Sequence, residues 1–460
     1  MSVMYDICIV GAGVSGASLA AHFSTKNVKV ALLDLNFEER DRIVGELMQP
    51  GGVYILNQLG LGDVLENIDA CTINGYAIFN KKNKIVMDYD EDPSFDGVKG
   101  RGLNNGKFIQ ALRSKSLNKE NIDFIKGEAI DFIDIDNHVE GIVYLDENQE
   151  NQAIMAKLTI VCDGFFSTLR KKLIPEQKSI TSQFVGLVLE DCQLPNEGYG
   201  HIFMSGDAPF LCYRISDKEV RLLVDFPGNE PLPKGGELKT HLSAKVREHM
   251  PESMHRSVDK AIADGKFKHM PNHYMTALEC KKTGVVMVGD SLNMRHPLTG
   301  GGMTAALTDV MLLCRSILKE GYLVSAEILN QKIPKYYEER NAWNASINIL
   351  ADALYKVCLN KELKDACFNY LAKGEHYSKE PLLLLSGLTR DNSTLFKHFI
   401  QVALIGAKDN VMGEFGFKSI DNSYDMLKKA SQILFPLVMN EKMNILDFTG
   451  TKKLSEFASA

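Results

Sequence analysis

Close to its N-terminus the chain carries Gly11-Ala12-Gly13-Val14-Ser15-Gly16 between two apolar runs, 5–10 (YDICIV) and 28–34 (VKVALLD). The first run reads as a short buried strand, the Ala- and Leu-containing stretch after Val14 as a helix, and the second run as a strand ending on Asp34. Strand, glycine turn, helix and strand make a βαβ unit, which commits the chain to a parallel sheet covered by helices. The glycine spacing suits a tight turn at Gly11, close backbone approach to a pyrophosphate at Gly13 and helix–strand packing at Gly16, while Asp34 can accept from a ribose hydroxyl. G-x-G-x-x-G alone is a weak sign, a plain glycine-rich turn being the other reading. Its position between strand and helix points to a bound dinucleotide.

Two later segments repeat the logic of a strand ending at a ligand. Residues 158–161 (LTIV) lead into Asp163-Gly164, with Ser167 and Arg170 following in a D-G-x-x-S-x-x-R pattern. Residues 284–288 (GVVMV) lead into Gly289-Asp290, then Arg295-His296-Pro297-Leu298-Thr299-Gly300-Gly301-Gly302-Met303. Consecutive glycines permit positive φ and let main-chain N–H groups approach a flat, charged ligand. A helix beginning near Met303 would turn its positive end toward an anion.

Bulk properties exclude several other classes. With 460 residues, 45% hydrophobic and 24% charged, the chain has room for two or three lobes of an ordinary globular protein. A net charge of -7 gives no reason to expect nucleic-acid binding. The nine cysteines stand singly, with no C-x-x-C pair, and read as reduced, mostly buried thiols; no metal site is expected. Asp6 interrupts the N-terminal apolar stretch, so no signal peptide is expected, and no run reaches the roughly 18 apolar residues of a spanning helix.

The three separated motifs, in this order, resemble those of flavin-dependent monooxygenases of the aromatic-hydroxylase superfamily, and the resemblance implies FAD. Within it, the strings from Asp41 through Glu46-Leu47-Met48-Gln49-Pro50-Gly51-Gly52 and from Asn293 to Met303 are similar to the signatures of squalene epoxidase, also called squalene monooxygenase. Further similarity lies at Leu59-Gly60-Leu61-Gly62-Asp63, Asn74-Gly75-Tyr76, Ser182-Gln183-Phe184-Val185-Gly186, Leu350 to Tyr355 and Phe435-Pro436-Leu437, so it covers roughly 5–440.

Transferred position by position, the resemblance implies FAD contacts from Gly11, Gly13, Val14, Ser15, Gly16, Asp34, Leu35, Arg42, Leu47, Arg113, Ala129, Asp163, Asp290, Gly301, Gly302 and Met303. It puts Gln49 and Tyr76 beside the flavin and the substrate pocket as the catalytic pair. Plain structural readings exist for each: Tyr76 as a strand aromatic, Gln49 as a loop cap, Arg42 and Arg113 as surface ion pairs. His296 reads as structural, its ring bonded locally. The chain departs from the family pattern at Asp34-Leu35 (usually Glu-Arg), Asn104-Asn105 (usually His-His) and Ser291 (commonly Ala), and it is more polar than the family beyond about Lys408.

The implied reaction is epoxidation of squalene or a related terpenoid to 2,3-oxidosqualene with O₂, feeding sterol or triterpenoid synthesis. Only one dinucleotide fingerprint is present, so electrons come from a separate reductase or from NADPH binding transiently at the flavin, and the resemblance implies the former: NADPH acting indirectly through a partner of the NADPH–cytochrome reductase kind. No protein nucleophile is needed, because the cofactor carries the oxygen chemistry while the protein positions substrate and excludes water. An enzyme acting on another terpenoid or an aromatic substrate, and a prenyl-binding protein of the Rab-escort type, are the readings set against this one.

The expected fold is α/β: a Rossmann-type FAD-binding domain (1–70, 93–179 and 271–325), an inserted mixed-sheet substrate domain (71–92 and 180–270) and a C-terminal helical region (326–460). Phe203, Phe210, Leu211, Tyr213, Leu222, Leu223, Val224 and Phe226 are candidate walls of a substrate cavity, with ordinary sheet core as the plainer reading. Segments 381–388 and 395–407, with Lys379, Lys397 and Lys408 nearby, are the candidates for membrane contact; a pair of helices covering the FAD lobe is the alternative. The protein is accordingly expected to be peripheral or monotopic at a membrane, the endoplasmic reticulum in a eukaryote.

Overall fold

The computed structural model describes residues 4–89, 93–95, 97–175, 178–204, 206–411, 418–443 and 451–458, with backbone alone described at 407–411, 418–424 and 457–458. The chain has the expected α/β architecture, a Rossmann-type unit carrying a second mixed sheet and a helical C-terminal region. Met4–Val10 pairs in parallel with Val30–Asp34 on one side and Asn151–Val161 on the other. Ile122–Lys126 continues the parallel set beyond Val30–Asp34. Asn151–Val161 pairs through its first half with antiparallel His138–Leu145, and through its second half with parallel Val285–Met287. Ile7 to Val10 and Val30 to Asp34 are all buried, as expected of strands covered on both faces. The helices Val14–Phe23, Asn105–Ser114 and Gly302–Ile317 cover this sheet.

The second sheet runs in the order Phe267–Tyr274, Ser179–Glu190, Glu219–Pro227, Phe210–Arg214, Gly200–Phe203, Gly75–Asn80, Asn83–Asp88, antiparallel throughout except for the pairing of Gly200–Phe203 with Gly75–Asn80. Segments 71–92 and 180–270 run largely through it, although the last strand continues to Tyr274 and Cys71–Ile73 joins a small separate sheet with Leu47–Met48 and Gly100–Gly102. Residues 90–92 lie outside the described residues. Side chains alternate across this sheet. Val185, Leu187 and Leu189 pack with the helices Gly235–His249 and Glu252–Asp264, whereas Phe184 and Leu223 point to the helical C-terminal region.

That region begins with the helix Ala326–Leu359, capped by Ser325, and continues as Lys361–Leu371, His376–Ser386, Asn392–Val411 and Lys418–Asn440. The expectation that 381–388 faces a membrane is corrected here: Leu382, Leu384, Leu385 and Leu388 are buried, and Gly387 packs against Gly51. The next two helices do expose apolar side chains, with Ile400 and Leu404 about half exposed and Phe435 and Met439 60% and 61% exposed. The side chains of Ala407 and Lys408 lie outside the described residues. Among the described residues no helix is long and apolar enough to cross a membrane.

Candidate active site

The first glycine turn is built as tightly as its spacing demands. At Gly11 φ is +98°, and a Cβ there would lie 2.5 Å from the Cys162 carbonyl oxygen; a Cβ on Gly16 would lie 1.8 Å from the Gly11 oxygen. Gly13 is different, with nothing within 4 Å of its missing Cβ, and it caps the Val14–Phe23 helix without a side-chain hydrogen bond. An open glycine at the start of a helix leaves amide donors free for an anion. Ser15, buried in the first turn, touches the third motif: a Cβ on Gly289 would lie 2.7 Å from Ser15 Oγ.

Asp34 stands at the end of its strand, where it accepts the Ala12 N–H at 2.6 Å and the Asn36 N–H at 3.0 Å, and pairs with Arg40. Arg113 is buried and not a surface ion pair; its Nε donates to the Ala12 oxygen at 2.9 Å, and its guanidinium lies 3.7 Å from Asp34. Leu35 is exposed beside them. Arg42 opens to solvent, with its charge in electrostatic reach of Asp290 and Asp34. Asp163 follows Cys162 against the same turn, and its Oδ1 is buried without a hydrogen-bond partner. Burial pushes its carboxyl up to about 6. Ala129 accepts the Thr168 hydroxyl at 3.2 Å through its backbone oxygen.

The third motif closes the far side. Gly289 donates its N–H to Asp309 at 3.0 Å, and Asp290 beside it is exposed. Of the three consecutive glycines only Gly300 uses positive φ, at +63°; Gly301 and Gly302 lie in the right-handed region, because the helix Gly302–Ile317 has already begun. A Cβ on Gly300 would lie 3.0 Å from Leu47 Cγ, whereas one on Gly302 would meet only Arg295 Nη1 at 3.9 Å. Met303 and Leu47 are buried beside this turn. Thr299 Oγ1, Thr304 Oγ1 and Arg295 Nε are buried without partners around it. Open glycines at the two helix starts, an exposed Asp290 and these orphaned polar atoms are what a long cofactor with an anionic middle and a polar flat ring requires.

Gln49 and Tyr76 meet beneath the turn. Gln49 Nε2 donates to the Tyr76 hydroxyl at 2.6 Å and to the Thr299 carbonyl at 2.5 Å, while its Oε1 accepts the Tyr89 hydroxyl at 2.5 Å. The Tyr76 hydroxyl donates onward to the Thr299 oxygen at 3.3 Å. Burial pushes Tyr76 up to about 12 and Tyr89 well above the ordinary phenol value, so both stay protonated donors and neither is a general base. Tyr89 and Thr299 were not singled out from sequence. For Tyr89 the signal is the hairpin register, Gly75 opposite Asp88, which brings it back beside Asn74.

An apolar cavity of about 110 Å³ is lined by Tyr76, Leu298 and Thr299 together with His398 and Phe399. Its walls come from Leu350 and Leu354 of the long helix, Leu382 of the helix expected at a membrane, and Ile202 and Met204 of the second sheet. None of the eight wall residues expected from sequence lines it. Phe203, Phe210, Leu222 and Val224 lie on the opposite face of the sheet, one step out of phase with Ile202 and Met204.

Comparison with known proteins gives the following. A family model described as squalene epoxidase matches residues 155–421, and one described as glucose inhibited division protein A matches 6–182. Squalene epoxidase 1 of Arabidopsis thaliana is 38% identical over 97% of this chain and 85% of the relative. The squalene monooxygenase of Mus musculus is 34% identical over 95% and 78%, and the squalene epoxidase of Schizosaccharomyces pombe 33% identical over 95% and 98%. Among solved structures, PqsL of P. aeruginosa superposes with a TM-score of 0.66 at 16% identity, covering 78% of this chain and 97% of that one. The flavin-dependent brominase Bmp2 gives 0.65 at 16%, covering 84% and 94%. These structures share the fold.

Proposed function

The chain belongs to the squalene epoxidase family, and from that premise we propose how its own residues serve the reaction. The protein is an FAD-dependent squalene monooxygenase that epoxidises squalene. FAD, bound and reduced, supplies the activation of O₂ and the transfer of one oxygen atom to an alkene.

The remaining work is done by the protein. The amides at the start of Val14–Phe23, with Gly11, Gly13, Ser15 and Gly16, hold the pyrophosphate, and Arg42 and Arg113 balance its charge. Asp34, with Leu35 beside it, serves the ribose end; Asp163, Asp290 and Ala129 serve the middle. Leu47, Gly301, Gly302 and Met303 carry the ring. Gln49 and Tyr76 hold the Thr299 carbonyl and so fix where the ring-bearing turn meets the substrate. The segments 1–70, 93–179 and 271–325 act as the FAD lobe, 71–92 and 180–270 as the substrate lobe, and 326–460 closes the cavity.

The observation that carries this reading is the apolar cavity lined by Tyr76, Leu298 and Thr299 at that turn. It suits a flexible hydrocarbon and excludes water from the reacting end. Electrons come from a separate NADPH–cytochrome reductase-like partner, a reading supported by the single dinucleotide fingerprint. The exposed apolar residues of Asn392–Val411 and Lys418–Asn440 support peripheral attachment to a membrane, the endoplasmic reticulum in a eukaryote, where the substrate is dissolved.

Incubation with squalene, a reductase, NADPH and O₂, followed by mass spectrometry, tests the whole scheme. Squalene gaining one oxygen is the expected result. Untouched squalene beside an oxidised phenol or shorter terpene would sink the substrate assignment and spare the flavin.

A further inference from the structure

The turn that carries Thr299 hangs on a buried histidine. His296 Nδ1 accepts the Leu298 N–H at 3.2 Å, so the proton of the neutral imidazole sits on Nε2. Burial pushes this imidazole down to about 3, which keeps it neutral. Nε2 faces Ser182 Oγ at 2.9 Å and donates to it, and Asn272 Nδ2 donates to the same oxygen at 2.8 Å. Ser182 and Asn272 stand opposite each other in the pairing of Ser179–Glu190 with Phe267–Tyr274. With both lone pairs taken, the serine has one proton left to give. Asp225 is the acceptor in reach. Its Oδ1 lies 3.9 Å from His296 Nε2 and has no other partner, and its Oδ2 accepts the Tyr355 hydroxyl at 2.9 Å. The Tyr355 ring stacks on the imidazole with centroids 3.7 Å apart and planes 9° apart, and Phe184 meets the imidazole edge-on.

A fully buried carboxyl is costly unless its hydrogen bonds are used. Asp225 accepts the Tyr355 hydroxyl through Oδ2 and offers its free Oδ1 beside Ser182, the two groups that hold one ring, and that ring holds one backbone N–H. We infer that Asp225 is a positioning residue for oxygen transfer: through Ser182 and Tyr355 it fixes the His296 imidazole, and through Leu298 N–H it fixes the turn whose Thr299 carbonyl meets Gln49 and Tyr76. Leu298 lines the cavity, so a tilt of this turn displaces the alkene's support as well as the backbone beside the ring. This rests on the epoxidase reading. Its signature is uncoupling, in which O₂ takes two electrons and two protons and leaves as hydrogen peroxide while the alkene keeps its double bond.

Asp225→Asn preserves volume but offers an NH₂ to one of two donors, so one of the two loses its acceptor. With squalene, reductase and NADPH, epoxide formed per NADPH consumed is expected to fall about tenfold, with hydrogen peroxide rising to match. FAD content and NADPH consumption are expected to stay near wild type. Tyr355→Phe removes a single donor and should show the same split, smaller in size. A merely structural role lowers FAD content and every rate together. Unchanged coupling in the FAD-loaded Asp225→Asn protein, or a loss that only follows loss of FAD, overturns the inference. If that variant fails to fold, Tyr355→Phe and Ser182→Ala decide on the same readout. Wild-type protein that makes no epoxide from squalene overturns the epoxidase reading instead, so the two failures are distinct.

Discussion

Gln49 Nε2 donates to the Tyr76 hydroxyl at 2.6 Å, tying the start of the Pro50–Gln58 helix to the first strand of the second sheet's hairpin. Gln49 caps that helix and Tyr76 lies within that strand, and each also reaches Thr299.

Tyr76→Phe removes one partner of a buried amide, at a cost of about 1–3 kcal/mol for the group left short. Epoxide formation is expected to drop by about tenfold or more, because a small misplacement at the reacting end has large effects on rate. FAD content should be retained. Steady-state turnover of squalene by the FAD-loaded variant measures this, and wild-type turnover would remove Tyr76 from the site.

Two glycine substitutions should separate folding from cofactor binding. Gly300→Ala faces φ of +63° and Leu47 at 3.0 Å, so the FAD-free protein should lose about 1–2 kcal/mol, seen as a lower Tm. Gly13→Ala meets no atom within 4 Å, so the FAD-free Tm should stay put while FAD affinity falls. Calorimetric titration and thermal unfolding together check the pair; the same pattern in both variants would contradict it.

What could be read from the sequence was local chemistry. Gly11, Gly13, Gly16 and Gly300 announce themselves because backbone conformation and close approach are decided within a few residues. Gln49 and Tyr76 came through family resemblance and not through spacing. Asp225 and Tyr89 gave no such signal, and Ser182 stood within a string of family similarity that gave it no role, since their roles arise where strands far apart in the chain are brought into register. The cavity wall was misread for a related reason. In the second sheet both faces are buried, so apolar character alone does not say which of Ile202, Phe203 and Met204 faces the cavity.

The pH dependence of stability should carry a mark of Asp352. Burial, and then the nearby Glu441, push its carboxyl up to about 7, with Lys356, Arg295 and the His296 N–H pulling the other way. A carboxyl that holds its proton more tightly when folded stabilises fully below the unfolded value of about 4, and that contribution is lost as pH rises through about 7. Asp352→Asn keeps an acceptor for His296 and loses the charge. The Tm of the variant relative to wild type should therefore be higher at pH 8 than at pH 5. A difference that does not change with pH would count against this account.

The outward face of the last two long helices is open to a direct test. Leu404→Glu with Phe435→Glu puts charge on residues that are 50% and 60% exposed, so folding should be little changed. Co-sedimentation with phospholipid vesicles should fall several-fold, while turnover of detergent-dispersed squalene persists. Undiminished vesicle binding would move the attachment surface elsewhere.

The acceptor on which Gln49 and Tyr76 converge is a main-chain oxygen, that of Thr299, and not a side chain. No exchange of residue 299 can delete it. Sequence drift at this point is therefore silent for the acceptor. Variants selected for an altered pocket should accumulate in the donors, or at Gly300, where the peptide itself can be made to rotate.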